Sequence, residues 1–148
     1  FACLFAEVIA NDKPLLISFK GDLYLPAVNF YSEAEFGGEF ETEAEYPAPE
    51  VKCLIRTGGL EACLDDPDAT LLDAEDGEVD GTPIDAGWAL WPPIPYSFNT
   101  INYDVVTAPS APNAAHRLGT DDQTRDVLAR LVYWFRISTL VAAAVVSV

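Results

Sequence analysis

Apolar residues recur along this chain in two rhythms, and each predicts its own kind of element. Toward the C-terminus Leu128, Leu131, Val132 and Phe135 lie three and four positions apart, the period of a helix with one apolar face. Thr120 followed by Gln123 has the reciprocal capping-box pattern, and Asp121 and Asp122 suit the positive end of a helix dipole. A helix is therefore predicted from Thr120 to Arg136. Arg125 and Arg136 lie off its apolar face and Arg130 lies at the edge. From Ile137 to Val148 the sequence carries no charge at all. A helix that begins among acids, passes a ring of arginines and ends wholly apolar has the pattern of a segment meeting a membrane.

The strand rhythm lies nearer the N-terminus. Pro14 to Phe19 and Leu23 to Val28 are β-leaning apolar runs, and Lys20-Gly21-Asp22 between them has turn chemistry, so a hairpin is predicted. From Tyr31 to Tyr46 glutamates alternate with small or aromatic residues. That pattern suits a partly extended surface loop, or an edge strand protected by charge. Pro47-Ala48-Pro49 introduces a short helix with Val51, Leu54 and Ile55 on one side, ended by Gly58-Gly59. A second short turn is predicted over Leu60 to Leu64. Leu64 to Ala86 is acidic, glycine-containing and poor in large apolar residues, and reads as a flexible insertion lying at about 57–86.

Trp88, Trp91, Pro92, Pro93, Pro95 and Tyr96 form an aromatic–proline cluster. It suits packing on the hairpin as core, an interfacial aromatic belt, or a polyproline ligand. Ala108 to Ala115 reads as a linker. Phe1 to Ala10, apolar except for Glu7, is too short to cross a bilayer, and so is Ile137 to Val148. Both ends can be cut membrane helices or buried core segments. With no methionine and a phenylalanine at position 1, the chain is expected to be a piece of a longer product.

Leu118, Gly119, Thr120 and Asp121, then Arg125 and Asp126, Arg130, and Arg136 followed by Ser138 resemble a signature of ABC-transporter permeases. It precedes the second membrane span in C-type subunits of dipeptide and oligopeptide importers. Asn11-Asp12-Lys13-Pro14-Leu15-Leu16, Phe36-Gly37-Gly38, Trp91 to Ser97 and Thr100-Ile101-Asn102-Tyr103 are similar to the YejE-like branch, associated with oligopeptide and microcin C uptake. The resemblance covers most of the chain outside roughly 57–86. Two positions depart from it: Thr124 and Trp134 stand where the family usually has glycine.

The resemblance implies an α+β fold: a small extracytoplasmic domain with a β-hairpin, short helices and irregular loops, followed by a long amphipathic-to-transmembrane helix. Residues 1–10 would end a first span, 11–116 form an acidic periplasmic domain, 117–136 an interfacial helix, and 137–148 begin a second span. It also implies a multi-pass inner-membrane location, a second permease subunit, cytoplasmic ATPase subunits and a periplasmic peptide-binding protein. Membrane lipid would face the helix, with Arg130 and Arg136 at headgroups or carboxylates. The acidic region would form part of the landing surface for the binding protein. A rival reading is a free-standing acidic protein-binding module, secreted or membrane-anchored.

Charge agrees with an outward placement. Net charge is −16, and between Gly21 and His116 there are 19 acidic residues against Lys52 and Arg56 alone. Such a surface excludes a nucleic-acid partner, which needs a basic footprint. Cys3 sits in the apolar start and reads as an inert thiol. Cys53 and Cys63 are ten residues apart in the extracytoplasmic part, where a bridge can persist. They read equally as a disulfide or as two free thiols.

Catalytic parts are missing from the sequence. His116 is the only histidine, in the linker beside Arg117, and no phosphate loop or His/Cys metal spacing occurs. Asp76, Glu78 and Asp80 with Gly81 begin like a calcium loop, but its twelfth position is Gly87 rather than a bidentate glutamate, so a solvated acidic loop is the stronger reading. No enzyme activity, cofactor or metal is expected, and no substrate-binding residue can be assigned.

Overall fold

Lys20 and Gly21 have φ of 50° and 85°, the left-handed pair that closes a two-residue hairpin. They join β1 (Leu16–Phe19) to β2 (Asp22–Tyr24), paired antiparallel with Phe19 opposite Asp22. The predicted hairpin is present, with shorter strands. β5 (Trp88–Leu90) pairs with the other edge of β1, Ser18 opposite Trp88, so the sheet runs β2-β1-β5. The computed structural model describes residues 5–79 and 81–147; Cys3 and Asp80 lie outside them. The fold is α+β, in two units: Lys13–Trp91, and Phe1–Asp12 with Pro92–Val148.

In the first unit, Phe36 sits at the centre of an aromatic core. The rings of Phe19, Tyr24 and Tyr46 lie 5.3, 5.4 and 6.1 Å from it, in edge or tilted contact, the arrangement aromatic quadrupoles favour. α2 (Pro49–Thr57) adds Val51, Leu54 and Ile55 as predicted and ends at Gly58. Gly87 lets these layers close. A Cβ there would stand 2.1 Å from the Ile55 carbonyl oxygen and 2.6 Å from that of Ser18. Trp88 lies on its strand with its ring exposed. Trp91 packs against the core, under the Lys52 ammonium at 5.8 Å.

Cys53 on α2 is bonded to Cys63 on α3 (Ala62–Asp65), and both are fully buried. The Thr57 hydroxyl donates to the Cys53 carbonyl at 2.9 Å and lies 3.3 Å from the Cys63 sulfur. The stretch Leu64–Ala86, read from the sequence as a flexible insertion, carries regular elements. α4 (Pro67–Asp73) begins with Pro67 at its first position and Asp66 as cap, whose carboxylate accepts from the Ala69 amide at 3.1 Å. A 3-10 turn (Ala74–Asp76) and a small hairpin of β3 (Glu78–Val79) and β4 (Thr82–Pro83) follow. Composition hid these elements because local caps, rather than bulky apolar residues, start them. Tyr31–Tyr46 forms a loop with a 3-10 turn (Glu33–Phe36) and a single bridge between Ser32 and Glu43.

In the second unit the main element is α5 (Val127–Val146), long and apolar enough to cross a membrane and with only 6% of its most apolar stretch buried. At about 1.5 Å per residue it spans roughly 30 Å, the thickness of a hydrocarbon core. The helix starts at Val127, not at the predicted Thr120, and Asp126 is its cap. Leu128, Leu131 and Val132 of the predicted face are half-buried, and further contacts come from a second set of positions. Ala129 is fully buried, the Tyr133 hydroxyl donates to the Ala10 carbonyl at 2.9 Å, and Arg136 pairs with Glu7 at 2.7 Å, whereas Phe135 is exposed. Ala129, Tyr133 and Arg136 share one helix side, which holds α1 (Ala6–Ile9). The N-terminal segment also exchanges backbone hydrogen bonds with the proline run: Asn11 donates to Ile94 at 3.1 Å and Ile94 to Ile9 at 3.0 Å.

Candidate functional site

Six residues before α5 the backbone folds around one carboxylate. Asp121 Oδ1 accepts from the amides of Gln123 and Arg125, each at 2.9 Å. Its Oδ2 accepts from Arg125 Nε at 2.9 Å and also pairs with Arg130 Nη1. The Arg130 guanidinium lies in turn 5.0 Å over the Trp134 ring. Asp121 therefore serves neither the first turn of a helix nor a capping box. It closes a loop and fastens that loop to the helix beyond. Burial opposes its ionisation, but the Arg125 and Gln123 amides and the Arg125 side chain outweigh burial and hold the carboxyl below the usual range.

A group whose carboxyl pKa is lowered on folding stabilises the fold above its unfolded value, and this stabilisation fades as pH falls through the lowered one. The thermal stability of the chain is therefore expected to drop on acidification below the ordinary carboxylate range. In Asp121→Asn that part of the pH dependence should be flattened, and identical pH profiles for the two proteins would contradict the assignment.

The loop contains a backbone irregularity at Thr124, whose φ is 59°. A β-branched residue is unfavourable there. Thr124 holds Asn102 in compensation: its hydroxyl accepts from the Asn102 amide at 3.2 Å, and its carbonyl accepts from Asn102 Nδ2 at 2.9 Å. Left-handed strain of about 2 kcal/mol exceeds one neutral hydrogen bond of about 1 kcal/mol. Thr124→Gly should therefore stabilise by roughly 1 kcal/mol and Thr124→Val destabilise by about as much, read by denaturant titration.

The cap itself is buried. Asp126 Oδ1 accepts from the Ala129 amide at 2.8 Å, and Oδ2 meets His116 Nδ1 at 2.9 Å, with Asp126 1% and His116 5% exposed. The Tyr96 ring lies 4.7 Å from the imidazole. Burial first, then Asp126 and Asp104, push the Tyr96 phenol up. Asn113 Oδ1 accepts from the amides of Ala115 and His116, fixing the turn that delivers the histidine. Gly119, with φ of 75°, leaves room for this turn; a Cβ would stand 2.3 Å from the Ser110 carbonyl oxygen. The Thr120 hydroxyl donates to Ser110 Oγ at 2.9 Å. A cavity of about 160 Å³ lies beside the pair, lined by Ile94, Tyr96, Arg117, Asp126 and Leu128 among others.

Of the signature residues, the fold brings Asp121, Arg125 and Arg130 together. Gly119, Thr120 and Asp126 sit in the adjoining buried turn. Arg136 reaches Glu7 instead, Leu118 is half-exposed, and Ser138 lies on the exposed helix surface. Sequence reasoning missed His116, Ser110, Asn102 and Tyr133. The Asn113–His116 spacing is a readable Asx-turn signal, but nothing local pairs His116 with Asp126. Among the described residues no group of three or more His, Cys, Asp or Glu is placed to hold a metal ion.

The chain has sequence relatives among known proteins. An Agrobacterium fabrum (strain C58) protein described as "Peptidoglycan transport system permease protein YejE" is 34% identical over 179 aligned residues, taking in 100% of this chain and 39% of the relative. An Escherichia coli (strain K12) protein described as "Inner membrane ABC transporter permease protein YejE" is 35% identical over 138 residues, or 93% of this chain and 32% of the relative. The chain is homologous to a segment of the YejE permeases. It spans less than two fifths of either relative's length. No family model and no solved structure matches it. In this YejE-like segment, Gly119, Thr120, Asp121, Arg125, Asp126 and Arg130 build the turn that starts α5 and fasten it to the helix.

Proposed function

We propose that the chain is part of the inner-membrane permease subunit of an ABC importer for peptides or peptide-bearing molecules. The observation that carries this reading is α5 itself: an apolar helix some 30 Å long, exposed from Ile137 to Val146 and launched from a turn tied down by Asp121 and Asp126. Nothing water-soluble gains from leaving such a surface bare, whereas lipid or neighbouring spans cover it naturally. On this reading Ile137 to Val146 enter the hydrocarbon, and Arg130 and Arg136 mark the outer interface, where their long stems keep charge near water. The segment up to Ala10 leaves a preceding span, and residues 11–116 lie outside the membrane.

The permease would catalyse nothing itself. ATP hydrolysis would belong to separate cytoplasmic subunits, contacted through parts of the permease outside this chain. A second permease subunit would complete the pathway, and a periplasmic binding protein would deliver the peptide. The similarity to proteins named as permeases supports these assignments. Expression of the complete gene, followed by alkaline extraction of membranes and uptake of a labelled oligopeptide, tests them. The product should stay in the membrane pellet, and its deletion should abolish uptake. Release into the soluble fraction would overturn the reading in favour of a free acidic module, and retention without any transport defect would favour a simple anchored protein.

A further inference from the structure

The unit Lys13–Trp91 places one group of large apolar side chains on its outside. Within the eight residues Leu23–Phe30, which begin in β2, Leu23 is 67% exposed, Leu25 46%, Val28 80% and Phe30 64%. This is not slack chain. Pro26 is fully buried as an anchor, and the amides of Val28 and Asn29 donate to the Leu25 carbonyl at 3.1 and 3.0 Å. The Tyr31 hydroxyl accepts from the Leu25 amide at 3.4 Å and from Asn29 Nδ2 at 3.3 Å. The turn is thus held in one shape while its apolar side chains point to solvent. Preorganised apolar area of this kind is a feature of binding surfaces. β2 is also an edge strand of its sheet.

Charge decides what can cover it. The unit carries 18 acidic residues against 4 basic ones, a net charge near −14. Asp22 directly precedes the apolar stretch, and Glu33 and Glu35 follow it within five residues. A second copy would bring the same negative field and be repelled. Anionic lipid is disfavoured for the same reason. A protein surface with an apolar centre and a rim of lysine and arginine meets both requirements, because burial supplies affinity and opposite charge supplies orientation and encounter rate. We propose that the turn Leu23–Phe30, with its acidic surround, is the docking surface for such a protein on the outer side of the membrane. This rests on the placement of residues 11–116 in the reading above and deepens it.

The test uses the full-length permease in its native membrane, with a photo-crosslinking amino acid at Val28 and, as control, at the exposed Asp68 on α4. Mass spectrometry maps the adduct. The expected product is one water-soluble protein joined through an apolar patch flanked by lysine or arginine. Its yield should fall about tenfold in Leu23→Glu/Phe30→Glu, as for loss of an interface anchor, and should fall steeply with salt. Adducts with lipid, with another copy, with another part of the permease, or no more adduct than at Asp68 would each overturn the proposal. Peptide uptake measured on the same cells keeps the two readings apart. Intact uptake with a misdirected adduct removes only the docking surface, and absent uptake with the expected adduct removes only the transport assignment.

Discussion

Replacing Asp126 with alanine is expected to destabilise the chain by about 3 kcal/mol. One part is the lost helix cap, since removing an N-cap carboxylate costs about 1 kcal/mol. The larger part is the group left behind: His116 Nδ1, buried and facing the place where Oδ2 stood, loses its protein partner, at about 2 kcal/mol. Asp126→Asn keeps an oxygen for the Ala129 amide and a polar neighbour for the imidazole, so it should lose only about 1 kcal/mol. Denaturant titration of the chain in detergent gives the totals. Hydrogen exchange at Val127 to Ala129 localises the effect, because fraying at the helix start exposes those amides first. Equal stability of Asp126→Ala and the parent would mean that the pair contributes nothing to the start of α5.

The second large effect is expected in the other unit, at Cys53 and Cys63. The bridge closes a loop with a sequence separation of 10. On the chain-entropy account, removing it relaxes the unfolded state by about 3 kcal/mol. The double substitution Cys53→Ser/Cys63→Ser should lose that amount or somewhat more, because the buried sulfurs are replaced by hydroxyls. Thr57 is already committed to the Cys53 carbonyl and can serve only part of their need. Reduction should act on the same unit and leave the start of α5 intact, which exchange at Ala129 can follow. A double serine variant as stable as the parent would show that the loop is held closed by packing alone. The bridge also matters to location: it persists in an oxidising compartment, in keeping with the proposed periplasmic placement.

Much of this fold was legible because its signals are local. Lys20-Gly21-Asp22 between two apolar runs specifies a hairpin by turn chemistry alone. Pro49 at the start and Gly58 at the end bracket α2, and Val51, Leu54 and Ile55 face inward as their spacing required. The uncharged run after Arg136 announced an apolar helix before any fold was in view. Each of these features depends on residues within a few positions of one another.

Where local signals competed, they misled. Thr120 and Gln123 satisfy a capping box and Asp126 satisfies a cap as well; the sequence offers no means of ranking them. Thr124 in a left-handed conformation, with Asp121 gathering two amides and two arginines, decides against Thr120. Leu128, Leu131, Val132 and Phe135 form the regular apolar stripe, yet the hydrogen bond and ion pair to the N-terminal segment come from Tyr133 and Arg136, because that segment begins more than a hundred residues earlier in the chain.

The sequence by itself determined where helix and strand can form, how acidic residues 21–116 are, and that the last residues suit hydrocarbon, since propensity, charge and hydropathy belong to residues singly or to near neighbours. Only the tertiary structure decided that His116 lies on Asp126, that Cys53 meets Cys63, and where α5 begins. Those are pairings between groups whose separation along the chain says little about their separation in space, fixed by burial and hydrogen bonding that exist only once the chain has closed on itself.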